Sequence, residues 1–308
     1  MSLLSPATII AQVSRAVPAD CREHIIIIGS LAAGYHFFGH EAPRAIRTKD
    51  IDCVLEPREV ALEKGTLVAE KLLAAGWTQK TTGKHAQPGK ASDATDQLPA
   101  VRLYPPRHRA GQASDWFIEL LTVPDATGDA GISWMRLPLS AGHFGLPSFR
   151  FLRFTAFLPR EAGLTGLRYA RPQMMALANL MEHPRIKADT MSEPFAGRAI
   201  KRSNKDLGRV LALAFLSGER EVAGWGMEWV GAFRKNFPAH WRKMAAHAGD
   251  GLRELLASHD DLEEAHYTCL NGLLATHQVS LAQLREAGAQ LIRVAMKPLE
   301  AEARRATK

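Results

Sequence analysis

The sequence predicts an α+β protein: a mixed-sheet head followed by an all-helical C-terminal region. Three observations carry this. Residues 25–28 are a run of four isoleucines that stops at Gly29-Ser30, which reads as a strand closed by a small turn. Residues 50–55, Asp-Ile-Asp-Cys-Val-Leu, read as a second short strand. From Pro172 onward, apolar residues recur at helical rather than strand spacing.

The elements follow in order. Residues 5–18 suggest an opening helix, with Ile9, Ile10, Val13 and Val17 on one face. The strand at 25–28 comes next, then the Gly-Ser turn, a helix at 31–38 and a loop with Gly and Pro at 39–47. The strand at 50–55 ends before Pro57. Residues 58–75 read as an amphipathic helix stopped by Gly76. Residues 76–100 are polar and suit a loop or loose hairpin. A strand at 101–104 is closed by Pro105-Pro106, and a second polar loop leads to an apolar strand at 116–123. Residues 148–158 alternate aromatic and basic side chains and read as one further strand. Six helices are then expected, at 174–182, 205–216, 225–237, 240–257, 260–276 and 280–303, with breaks near Gly218, Gly224, Pro238 and His277. The expected division is a head at 1–165 and a helical region at 166–308.

Hydrophobic residues make up 46% of the 308-residue chain and charged residues 23%, which suits a globular protein rather than a disordered one. No run of eighteen apolar residues occurs, and the N-terminus lacks the pattern of a secretory signal, so a cytoplasmic protein away from membranes is expected. Cys21, Cys53 and Cys269 have neither metal-ligand nor disulfide-framework spacing; Cys53 is expected in the core. The net charge of +7 is compatible with a nucleic-acid or nucleotide partner, and equally with a solvated basic surface. The basic clusters lie at 102–109, 198–209 and 304–305.

The chemistry concentrates at residues 29–52. On a strand, residues two apart share a face, so Asp50 and Asp52 project together while Ile51 and Cys53 turn inward. Adjacent carboxylates repel, and a divalent cation relieves that repulsion. The alternative is a pair of solvated acids on an edge strand. Gly29-Ser30 leaves backbone N–H groups open to an anion such as phosphate, although such turns are common. Arg47 and Lys49 could contact phosphate or only balance local charge. His36, His40 and His143 lack a ligand spacing with a partner acid. Trp225, Trp229 and Trp241 read as core rather than as a base-stacking platform.

Gly29-Ser30 followed by Asp50-Ile51-Asp52 on a strand resembles the signature of the nucleotidyltransferase fold shared with DNA polymerase β. Residues 171–180 and then Lys205-Asp206-Leu207 resemble the tail of the AbiEii/AbiGii toxin-type nucleotidyltransferases, so the likeness spans about residues 20 to 216. The resemblance implies a third carboxylate on a later strand. Glu119 is the candidate, Asp115 the fallback, and a satisfied buried acid or edge residue the alternative. It further implies Mg²⁺ held by Asp50, Asp52 and Glu119, and a nucleoside triphosphate contacted by Gly29, Ser30, Arg47, Lys205 and Asp206. The acceptor hydroxyl could belong to a tRNA, a protein or a small molecule. Asp206 has a second reading, as an acid near a helix start. Two departures stand out. Nineteen residues (31–49) separate Ser30 from Asp50, more than is usual in the family, and Asn179 stands where the family usually has Lys. Lys201, Arg202 and Lys205 are the nearby cations that could replace it. A catalytically silent, antitoxin-like homologue and a basic nucleic-acid-binding module are the rival readings.

Overall fold

The computed structural model describes residues 3–39, 45–79, 87–106, 116–125 and 131–305. Asp115, His40 and parts of both polar loops lie outside these. The strands are β1 (Ile25–Ile27), β2 (Asp50–Leu55), β3 (Thr78–Gln79), β4 (Arg102–Tyr104), β5 (Phe117–Thr122), β6 (Ile132–Leu139), β7 (Gly142–Phe149), β8 (Arg160–Glu161) and β9 (Arg168–Tyr169). The helices are α1 (Pro6–Ala16), α2 (Gly29–Phe38), α3 (Arg58–Ala74), α4 (Leu152–Thr155), α5 (Pro172–Glu182), α6 (Arg202–Asn236), α7 (Trp241–Ala245), α8 (Asp250–Ala257), α9 (His259–Leu270), α10 (Leu281–Leu291) and α11 (Lys297–Arg304). A π-helical turn, Ile292–Met296, joins the last two.

Seven strands form one mixed sheet in the order β3-β4-β5-β2-β1-β9-β8. β2 therefore lies inside the sheet, antiparallel to β1 and parallel to β5. Its burial alternates as expected at the start: Ile51 and Cys53 are buried, while Asp50 and Asp52 are half-buried. The buried face is packed by α3, whose Gly65 has room for Leu55 only because it lacks a side chain; a Cβ there would stand 3.0 Å from the Leu55 methyl. β6 and β7 form a separate hairpin that packs on α3 and β5. The architecture is thus an α+β protein with a mixed seven-stranded sheet and helices, then a largely helical C-terminal region. Among the described residues, no helix is long and apolar enough to cross a membrane.

Several local expectations are corrected. The strand expected at 148–158 ends at Phe149, and the chain turns into α4. Phe151 and Phe154 stack on one another and pack against Phe237, so a tertiary aromatic cluster overrides the alternating pattern. The β6–β7 hairpin, with Pro138 and Pro147 inside its strands, was not foreseen. The break expected near Gly218 is present: Gly218 has φ +68° and ψ 169° and divides α6 into two helical stretches, the second of which starts before the expected residue 225. Gly224 is no break. The span 240–257 splits into α7 and α8, and α9 ends at Leu270 rather than 276. The sheet also runs past the expected boundary at 165, because β9 pairs with β1. The second region is not all-helical: residues 183–201 form an irregular stretch with isolated bridges, Thr190 to Lys201 and Phe195 to Arg198.

Candidate active site

The site begins where β1 ends. α2 starts at Gly29, so the Gly-Ser pair is the first turn of the helix itself rather than a turn preceding it. Gly29 has φ +74°, and a Cβ there would lie 3.0 Å from Asp52 Oδ2. Glycine is required twice over, by the backbone conformation and by the closeness of the carboxylate. Across the strands, the Ile28 N–H donates to the Asp52 carbonyl at 3.0 Å. The N-terminal end of α2, with its unpaired N–H groups, therefore stands against Asp52. Ser30 is half-buried in the same first turn.

β2 and β5 pair in parallel register with Asp50 opposite Phe117 and Asp52 opposite Glu119. On the other side, Arg102 of β4 is opposite Glu119. Paired residues share a face, so Asp50, Asp52, Glu119 and Arg102 line one side of the sheet. Arg102 Nη2 donates to Glu119 Oε1 at 3.0 Å. The Thr48 hydroxyl donates to Asp50 Oδ1 at 2.9 Å.

The two aspartates titrate in opposite directions. Burial pushes the Asp50 carboxyl up, but Lys205, Arg209 and the Thr48 hydroxyl outweigh it and hold Asp50 below the ordinary carboxylate range. Asp52 is pushed well above that range, by burial first and then by the charges of Asp50 and Glu119, against the pull of Arg209 and Lys205. Asp52 is thus a carboxyl crowded by its neighbours' negative charge.

The cations come from the other half of the chain. Lys205 and Arg209 lie one turn apart on α6, which places them on one face of that helix. Both act on Asp50 and Asp52, and neither has an ion-pair partner within 4 Å among the described residues. Lys205 is thereby distinguished from the other two candidates. Lys201 Nζ binds Asp261 at 2.6 Å, and Arg202 is exposed. Asp206 does not sit in the first turn of its helix, which opens at Arg202. His183 donates from Nε2 to Asp206 Oδ2 at 2.9 Å. Burial raises the Asp206 carboxyl, but His183, Lys205 and Arg209 together bring it down to about 2. Asp206 therefore fastens α6 to the end of α5 and flanks Lys205. Arg47 contributes through its backbone, donating to the Gly272 carbonyl at 3.1 Å, and Lys49 is exposed. Asn179 is half-buried on α5, and its carbonyl accepts from the His183 N–H.

Comparison of the chain with protein-family models, with curated proteins and with solved structures finds no match. What the site can do is argued from its residues.

Among the described residues, no three His, Cys, Asp or Glu side chains converge into a ready metal cage. Glu119 is held by Arg102, and Asp50 and Asp52 stand two residues apart on one face of β2. That pair fits Mg²⁺, which ordinarily takes one or two carboxylates and fills its remaining positions with water and substrate phosphate oxygens. The elevated Asp52 carboxyl marks where a cation would relieve repulsion. Sequence reasoning missed two members, Arg102 and Arg209. Arg209 belonged to a recognised basic cluster, and its position four residues after Lys205 on an expected helix was the signal that could have singled it out.

Proposed function

We propose that the chain is a metal-dependent nucleotidyltransferase that moves a nucleotidyl group from a nucleoside triphosphate to an acceptor hydroxyl. The observation that carries this reading is the segregation of charge across one site. Acids line the sheet at Asp50, Asp52 and Glu119, and cations without ion-pair partners face them from α6 at Lys205 and Arg209. An arrangement of this kind suits a ligand that presents a cation to one side and a polyanion to the other, which is what a magnesium–triphosphate complex does.

Each group then has a task. Asp50 and Asp52 would hold Mg²⁺, which when bound draws charge from the triphosphate. The N–H groups of Gly29 and Ser30, at the start of α2, would receive phosphate oxygens. Lys205 and Arg209 would neutralise the phosphates by charge-assisted hydrogen bonds. Glu119 would accept the proton of the acceptor hydroxyl; that oxygen then bonds to the α-phosphorus, and pyrophosphate departs with the electron pair of the broken P–O bond. Positioning and preorganised charge supply most of the catalysis.

The Arg102–Glu119 ion pair and Asn179 favour a second reading, a homologue that binds nucleotide without turnover. One experiment separates the two. The chain is incubated with each labelled nucleoside triphosphate, Mg²⁺ and total RNA or protein. Label transferred by the wild type and not by Asp52→Asn supports the enzyme. Nucleotide binding with no transfer supports the silent homologue, and absence of Mg²⁺-dependent nucleotide binding removes both.

A further inference from the structure

Two stretches of the chain carry no carboxylate, and the fold brings them together. Residues 131–160 contain Arg136, Arg150, Arg153 and Arg160 and neither Asp nor Glu. Residues 229–249 contain Arg234, Lys235, Arg242 and Lys243, with two histidines and again no acid. They meet on aromatic rings. Arg150 and Arg153 lie over Phe237 at 5.5 and 5.4 Å. Arg153 also donates to the Asn236 carbonyl at 3.4 Å. Four residues further along the chain, Arg234 and Arg242 both lie over Trp241 at 4.8 Å.

The rings hold the guanidinium planes in place. Glu302 reaches the patch from α11 and takes one bond from Arg234, at 2.8 Å, and one from Arg305. Arg242 binds the carbonyls of Ala303 and Arg305, so it keeps its charge uncompensated by any acid it touches. Lys235 and Lys243 are exposed and have no ion-pair partner among the described residues. The result is a face with two Arg-Lys pairs on either side of the α6–α7 turn, and a third pair of arginines beside it.

We propose that this face, formed by Arg234, Lys235, Arg242 and Lys243 around the Phe237 and Trp241 rings, binds the phosphodiester backbone of a nucleic acid. Successive cations along a helix–turn–helix edge match a row of phosphates. Planar guanidiniums bind phosphate and carboxylate alike in a bidentate way, but they also stack on bases, which an acidic peptide does not offer. The inference is independent of nucleotidyl transfer, since the face contains none of the residues assigned to that reaction.

The test is fluorescence anisotropy of the full chain with a labelled RNA of about twenty nucleotides, with the corresponding DNA, and with anionic phospholipid vesicles, across a salt series. The variant is Lys235→Glu/Lys243→Glu, with Lys235→Gln/Lys243→Gln as a milder form. Lys71→Glu/Lys187→Glu makes the same charge change on exposed residues of α3 and of the irregular stretch before α6. Thermal melts establish that each is folded. The proposal expects RNA or DNA affinity to fall tenfold or more in both patch variants. It also expects the slope of log affinity against log salt to shrink by about two in the Glu variant. The control pair and Asp52→Asn should bind as the wild type does. RNA and DNA arms identify which nucleic acid is preferred. Equal losses in patch and control variants would overturn the proposal, as would vesicle binding without nucleic-acid binding, or nucleic-acid binding that requires Asp52.

Discussion

Individual residues at the site divide into those that create charge stress and those that relieve it. Asp52 belongs to the first kind. Its ionised form is disfavoured in the folded chain by burial, Asp50 and Glu119, so its folded pKa lies above its unfolded one. Stability is therefore lost as pH rises from the unfolded value through the folded one. Asp52→Asn removes that loss. The variant should melt at or above the wild-type temperature at pH 7 while losing label transfer altogether; a variant that unfolds would mean Asp52 is structural. Asp206 is the opposite case. Its carboxyl falls to about 2 in the fold, so its ionised form stabilises the protein above the unfolded pKa, and that contribution disappears as pH falls through the folded one. Asp206→Asn should cost about 2 kcal/mol at pH 7, and only about half of that near pH 3. Denaturant melts at the two pH values measure this, and a pH-independent difference would contradict it. Lys205 and Arg209 give the binding prediction. Lys205→Ala and Arg209→Ala should each weaken nucleoside triphosphate binding about tenfold or more, because each removes a charge-assisted phosphate contact worth about 1.5–3 kcal/mol. Lys297→Ala, exposed on α11, should not. If calorimetric titration gives equal affinities in all three, the α6 cations are not at the phosphate.

At the scale of the element, β1 into α2 and the kink in α6 show two uses of glycine. Gly29 combines φ +74° with the 3.0 Å approach of Asp52. Gly218 has φ +68° with nothing within 4 Å of an added Cβ. Gly218→Ala should therefore cost only the backbone penalty, about 1–3 kcal/mol, whereas Gly29→Ala adds a clash with Asp52 to its backbone penalty and should cost more. Chemical denaturation compares them directly, and an equal cost at both positions would show that Asp52 yields without penalty. Elements were legible where a single period ran unbroken. β2 agrees with its sequence pattern, and α3 with the span that Pro57 and Gly76 punctuate, although Leu62 and Leu67 of its expected apolar face are exposed. Residues 148–158 misled because aromatic and basic alternation imitates a strand. There the contacts of Phe151 and Phe154 with α6 decided otherwise.

Across the whole molecule, head and helical region share one core. Buried residues of α1, β1, β2, α5, α6 and α9 belong to a single apolar cluster. The acids come from the first region and two of their counter-charges from the second. A fragment of residues 1–170 should therefore neither fold cooperatively nor bind nucleotide, since it leaves out Met174, Leu177 and Leu180 of that core together with Lys205 and Arg209. Heat denaturation of the fragment beside the full chain is the measurement. A sharp transition with wild-type nucleotide affinity would make the helical region an appendage.

The sequence by itself determined the α+β order of elements, the common face of Asp50 and Asp52, and the burial of Ile51 and Cys53. These follow from strand geometry, which a short stretch of chain contains in full. It also pointed to Glu119 as the acid of an apolar strand and to Lys205 as the cation to watch. Only the tertiary structure decided how those charges are answered. Arg102 reaches Glu119 because β4 and β5 are neighbours in the sheet. His183 claims Asp206 because α5 and α6 pack together, and Arg209 joins Lys205 against the aspartates because α6 packs on α5 and α2 beside them. Electrostatic compensation depends on distance through space, and residues far apart along the chain acquire such distances only when the chain is folded.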